Sequence, residues 1–150
     1  MSILSHGEIV EFLYSKIVLM SVCLSLSPLA NSQQVVVHSK NEITSLSKNM
    51  LKAIFSMRIR TWPDGTPITV FIQNVDSEVH KSFCLSKLDV LPYQIQRRWD
   101  VLVYSGTGQS PIELNDESDM KQKISQTHGA IGYISEKEEI GKNVISISIH

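Results

Sequence analysis

Asn74-Val75-Asp76-Ser77 stands between an apolar run, ITVFIQ over 68–73, and a segment with helical spacing. A strand that turns into a helix here leaves the helix's first backbone N–H groups without intrahelical partners, and such an end attracts anions. Asn74, Asp76 and Ser77 supply short polar side chains that can contact a ligand or cap the helix. Asp76 at the N-cap would itself neutralise the helix dipole. Asp76 and Glu78 are both acidic and the corner holds no arginine, so it reads as a helix cap at Asp76 first and an oxyanion contact second. A second candidate is Ser105-Gly106-Thr107-Gly108-Gln109. Its glycines open the backbone and its hydroxyls add donors, so Ser105, Gly106 and Thr107 could cradle a phosphate. The pattern is neither a dinucleotide fingerprint nor a P-loop, and a plain loop between helices is the favoured alternative.

Other chemistry is poorly provided for. His38, His80, His128 and His150 lack i, i+4 pairing and the spacing of a zinc site. No G-x-S-x-G elbow presents a nucleophile, and nothing clusters an acid, a base and a nucleophile. The expectation is a protein that is not an enzyme and carries no cofactor or metal. Cys84, beside Phe83 in a helical segment, reads as a buried inert thiol. Arg97-Arg98-Trp99 reads as a core tryptophan beside a solvated basic face. The chain has 14 Lys and Arg against 15 Asp and Glu, a net charge of −1. No basic stripe follows a phosphate backbone, which sets nucleic acid aside as a partner.

The elements that must position these residues can be traced in order. QVVVH at 34–38 is a short β-branched strand. Ser47 caps a helix whose Met50, Leu51, Ile54 and Phe55 share one apolar face, expected to lie on the sheet that carries Val35–Val37 and Ile68–Ile72. Trp62-Pro63-Asp64-Gly65-Thr66-Pro67 is a turn, with Trp62 as a packing plug over the sheet edge. Beyond the 74–77 corner, Val79 and Phe83 lie four apart on a helix. Pro92 opens another, with Ile95, Trp99 and Leu102 inward. YSGTGQSPIE at 104–113 is a loop by composition. Asn115 or Asp116 then caps a helix carrying Met120 and Ile124, ended by His128-Gly129. AIGYI and NVISISIH close the chain as strands. The sum is an α/β sandwich, too small for two full lobes around a cleft.

The first 32 residues differ from the rest. Lys16 precedes IVLMSVCLSLSPLA, an uncharged run ending in Ala30-Asn31-Ser32, which predicts a secretory leader with Gln33 as the first mature residue. The organisation is therefore a signal peptide over 1–32 and one domain over 33–150, periplasmic or secreted after cleavage. Glu8 and Glu11 ahead of the run are unusual for a leader and leave an uncleaved anchor as the alternative.

Three separated blocks carry a family resemblance. SLSKNMLKAIFSMRIRTWPDGTPITVF at 45–71, RRWDVLVYSGTGQSP at 97–111 and THGAIGYIS at 127–135 resemble the type 2 periplasmic phosphate-binding proteins of ABC importers. The similarity is greatest to small, single-lobe exported relatives of them. It covers Val35 to about Glu136. It implies a single-lobe, type 2 periplasmic-binding-protein-like fold, a mixed sheet flanked by helices. It also implies a role in phosphate uptake or sensing, with phosphate or another oxyanion as ligand and a membrane transporter or sensor protein as partner. In the full-length proteins the corner after the ITV-type strand reads Arg-Ser-Asp-Gly-Ser-Gly-Thr and grips the phosphate. The corresponding residues here are Gln73 to Val79. Of that set only Asp76 and Ser77 keep the same kind of chemistry; the arginine and both glycines are gone. The resemblance therefore implies weak oxyanion binding. The alternative is a protein-interaction module that reuses the fold and binds no small anion.

Overall fold

The computed structural model describes residues 32–150; all but the last residue of the expected leader lies outside them. In chain order the elements are β1 (Gln33–His38), β2 (Ser45–Leu46), α1 (Lys48–Phe55), β3 (Thr69–Gln73), α2 (Glu78–Phe83), α3 (Pro92–Tyr104), β4 (Ile112–Leu114), α4 (Glu117–Gln126), β5 (Ala130–Ser135) and β6 (Val144–Ile149). A single π-helical turn, Cys84–Leu88, continues α2. The sheet order is β2-β6-β1-β5-β3-β4. β3 runs parallel to both β4 and β5, β1 runs antiparallel to β5 and β6, and β2 pairs parallel with β6.

Strand side chains alternate between faces, and the core divides accordingly. Val35, Val37, Val70, Ile72, Ile131 and Tyr133 pack with Leu51, Ile54 and Phe55 of α1, Phe83 of α2 and Ile95 and Trp99 of α3. Val36, Phe71, Ala130 and Ile134 pack on the other face against Met120 and Ile124 of α4. Because both faces are covered, β1 and β3 read as unbroken apolar runs rather than alternating ones.

Ser47 caps α1, its hydroxyl accepting from Met50 N at 3.2 Å. Leu51, Ile54 and Phe55 are buried, but Met50, expected in the same stripe, is 39% exposed. It sits in the first turn and lines an open groove with Leu46, Ile54 and Trp62. Pro92 opens α3, and Trp99 anchors it by donating Nε1–H to Phe55 O at 2.8 Å. Trp62 is buried and donates its indole N–H to Gly129 O at 3.0 Å. Gly129 has φ +82, and a Cβ there would come within 2.2 Å of Pro67 O, so the Trp62–Pro67 turn can meet the start of β5 only at a glycine.

Two expected boundaries are corrected. Ile112 and Glu113 belong to a strand, paired with Phe71 and Ile72, and not to the preceding loop. α4 is capped by Asp116 and stops at Gln126, before His128-Gly129, because Thr127 is already extended. β4 is three residues long, and its pairing with β3 rather than local composition sets its limits.

Candidate functional site

The 74–77 corner lies at the carboxyl end of β3, where ligands bind in open α/β sheets. Its polar groups are engaged with one another. Asn74 Oδ1 accepts from Asp76 N at 3.0 Å, Asn74 O accepts from Ser77 N at 2.9 Å, and Asn74 Nδ2 donates to Glu113 Oε1 at 2.8 Å. The cap of α2 is Ser77 and not Asp76: Ser77 has extended backbone (φ −68, ψ 145), and its hydroxyl accepts from His80 N at 3.1 Å. Asp76 is consumed one residue earlier, its N–H closing a turn on the Asn74 side chain.

The charges around the corner are mostly negative. Glu78 opens α2, Glu113 on β4 binds Asn74, and Glu117 of α4 approaches Gln73 Nε2 at 3.5 Å. The nearby cation, Lys81, pairs with Glu78 at 2.9 Å. These carboxylates repel an incoming anion.

A buried chain of hydrogen bonds holds the corner from below. Gln73 N donates to Tyr133 Oη at 3.0 Å, and Tyr133 Oη lies 2.6 Å from His80 Nδ1. With the hydroxyl accepting from the Gln73 backbone N–H, donation of its own proton to His80 Nδ1 is the arrangement that gives that proton an acceptor. That leaves the imidazole hydrogen on Nε2, 3.4 Å from Cys84 Sγ. His80 is 2% exposed, and burial lowers its pKa from 6.5 to about 4. Burial pushes the Cys84 thiol up to about 12 and raises the Tyr133 hydroxyl. All three groups are neutral near pH 7, so the chain braces the corner and offers no nucleophile. Tyr133 also stacks on Phe83 at 3.8 Å between ring centroids. His80 and Cys84 are four apart, which places them on one helical face. Their partner Tyr133, 53 residues from His80, has no local signature.

Ser105, Gly106 and Thr107 are not brought to this corner. β3 and β4 are parallel, so the loop before β4 lies at their amino ends and the corner at the opposite end. The loop's amides close α3: Gly106 N donates to Val103 O, while Thr107 N and Gly108 N both donate to Leu102 O. Ser105 Oγ and Thr107 Oγ1 pair at 2.7 Å. Sequence reasoning missed Arg60, which straps this loop by donating Nη2–H to Thr107 O at 2.9 Å and Nε–H to Met57 O at 3.1 Å. An open groove of ≈ 640 Å³ runs beside it, lined by Arg60, Thr69, Thr107, Gln109 and Ser110 among others. The guanidinium is turned toward two carbonyls, so the groove's one cation is partly committed and its lining residues include no second. Among the described residues no group of His, Cys, Asp or Glu is placed to hold a metal ion.

Comparison with known proteins places this geometry in a family. Residues 31–147 match the model of the PBP superfamily domain. An ABC-type phosphate transport receptor from Vibrio cholerae is 23% identical and aligns with a TM-score of 0.60, over 78% of this chain and 45% of its own. PstS from Borrelia burgdorferi is 18% identical with a TM-score of 0.60, over 79% of this chain and 47% of its own. At these identities the likeness shows the fold. The chain spans less than half the length of either receptor. Comparison with curated protein sequences finds no match.

Proposed function

We propose that this chain, which belongs to the PBP superfamily domain family, is an exported, non-catalytic binding-protein-like lobe. It works with phosphate uptake or sensing and takes phosphate or another oxyanion only weakly. The observation that carries this is the state of the corner. Asn74 and Ser77 spend their side chains on Glu113 and His80 N, and Glu78, Glu113 and Glu117 surround them. An anion seated here must displace internal hydrogen bonds and keep part of its hydration. Each exchange then nets only about 0.5–1.5 kcal/mol. A lobe closing from the other side would exclude that water, and this chain spans under half of the receptors it resembles. Export rests on the leader pattern at residues 17–32. Among the described residues no helix is long and apolar enough to cross a membrane.

Isothermal titration of the purified protein with phosphate and with sulfate tests this reading. The expected dissociation constant is about 1 mM or weaker, equivalent to roughly 4 kcal/mol or less. Micromolar binding lost on Ser77→Ala would overturn it. The second reading, a protein-interaction module, is favoured by one observation: the outer face of α3 exposes Tyr93, Val101 and Tyr104.

A further inference from the structure

α3 buries Ile95 and Trp99 and turns its opposite side to solvent. At 100° per residue, Tyr93, Arg97, Asp100 and Tyr104 fall within about 60° of one another and form one outward stripe about 16 Å long. Tyr93 is 66% and Tyr104 90% exposed, and Arg97 and Asp100 are exposed between them. Asp100 is steadied by Gln96 Nε2 at 3.1 Å. Neither Arg97 nor Asp100 joins an ion pair among the described residues, where the pairs are Lys81–Glu78 and Lys121–Glu138. Aromatic residues and arginine are what the anchors of protein interfaces are made of.

The stripe's order selects its occupant. It reads aromatic, cation, anion, aromatic, at spacings of four, three and four. An antiparallel copy of the same helix, related by a two-fold axis between positions 98 and 99, would set Tyr93 against the partner's Tyr104 and Arg97 against the partner's Asp100. Each contact then occurs twice, as an isologous interface requires. An anionic membrane would favour cations without the central aspartate. We infer that the Tyr93–Arg97–Asp100–Tyr104 face of α3 is a self-association surface that pairs two copies of this chain antiparallel. The face is rigid before it meets a partner, because Trp99 is bonded to Phe55 O behind it. One helix face is smaller than a standard interface of ≈ 800 Å² per partner, so the association expected is weak and transient. It holds whether or not the corner takes phosphate.

Sedimentation equilibrium of the full chain between about 1 µM and about 1 mM reads this directly. The weight-average mass is expected to rise from one chain towards two. Arg97→Glu and Asp100→Arg should each weaken self-association by more than about tenfold, because each sets like charges face to face. An equimolar mixture of these two variants should associate again, since one then presents two acids and the other two bases. The double variant should self-associate like the original. All positions are exposed, and an unchanged melting temperature checks that each variant is folded. A chain that stays monomeric at about 1 mM, a dimer indifferent to Arg97→Glu, or a mixture that fails to pair would each overturn the proposal.

Discussion

The 74–77 corner and the outer face of α3 hold similar side chains in opposite states. In the corner, Asn74, Ser77 and Glu113 are spent on one another and on backbone groups. On α3, Tyr93, Arg97, Asp100 and Tyr104 stand in solvent with little to engage. The difference lies in what supports each. The corner ends an interior strand and is braced by the Gln73–Tyr133–His80 chain, and the Asn74 side chain, the Asp76 and Ser77 amides and the Ser77 hydroxyl each have a neighbour at hydrogen-bond distance. α3 touches the core only through its inner side. A position where ligands usually bind can thus be closed by its own residues, while a plain helix surface keeps its side chains available. The proposal for α3 puts recognition on the free groups rather than at the strand end where ligands bind in open sheets.

Phe55 is the base of both regions. Its ring lies 4.9 Å from Phe83 and 6.1 Å from Tyr133 under the corner, and its carbonyl accepts from Trp99 of α3. Phe55→Ala should cost about 3–5 kcal/mol by chemical denaturation. A loss below about 0.5 kcal/mol would show that the two regions share no core. Acid separates them next. The folded-state pKa of His80 is depressed from 6.5 to about 4, so between these values the unfolded chain binds the extra proton. The neutral imidazole contributes fully above about pH 6.5, and its contribution falls away as pH drops towards 4. The total is about 3 kcal/mol. His80→Gln should flatten that part of the stability–pH curve while α3 substitutions leave it unchanged. Equal slopes for the original and His80→Gln would remove the brace from the account.

Most of the fold was legible because its signals are local. Ser47, Pro92 and Asp116 mark helix starts, and Leu51, Ile54, Phe55, Ile95, Trp99, Met120 and Ile124 fall at helical spacing and are buried. β2 and β4 escaped notice because they span two and three residues and exist through pairing with β6 and β3. The corner was found in the right place, but its cap was assigned to Asp76 when backbone geometry puts it at Ser77. Composition could not show that Ser105–Thr107 lies at the other end of β3. That depends on the parallel register of β3 and β4. The brace was illegible because Tyr133 reaches His80 across 53 positions.

Smaller effects sharpen the comparison. Ser77→Ala removes the true N-cap and should cost about 1 kcal/mol, whereas Asp76→Ala should cost less than about half of that. The reverse order in denaturant melts would return the cap to Asp76. On α3, Tyr104→Ser should change the stability of dilute protein by no more than about 0.5 kcal/mol, because the ring is 90% exposed and buries nothing in the single chain.

The closed state of the corner is tested most directly by following backbone amide resonances while phosphate is added to about 10 mM. Engaged amides should give small, unsaturated shifts at Asp76 and Ser77, with no more change there than at the Gly106–Gly108 loop. Shifts that saturate below about 0.1 mM and are largest at Asp76 and Ser77 would mean that the corner opens to a ligand, contradicting the account.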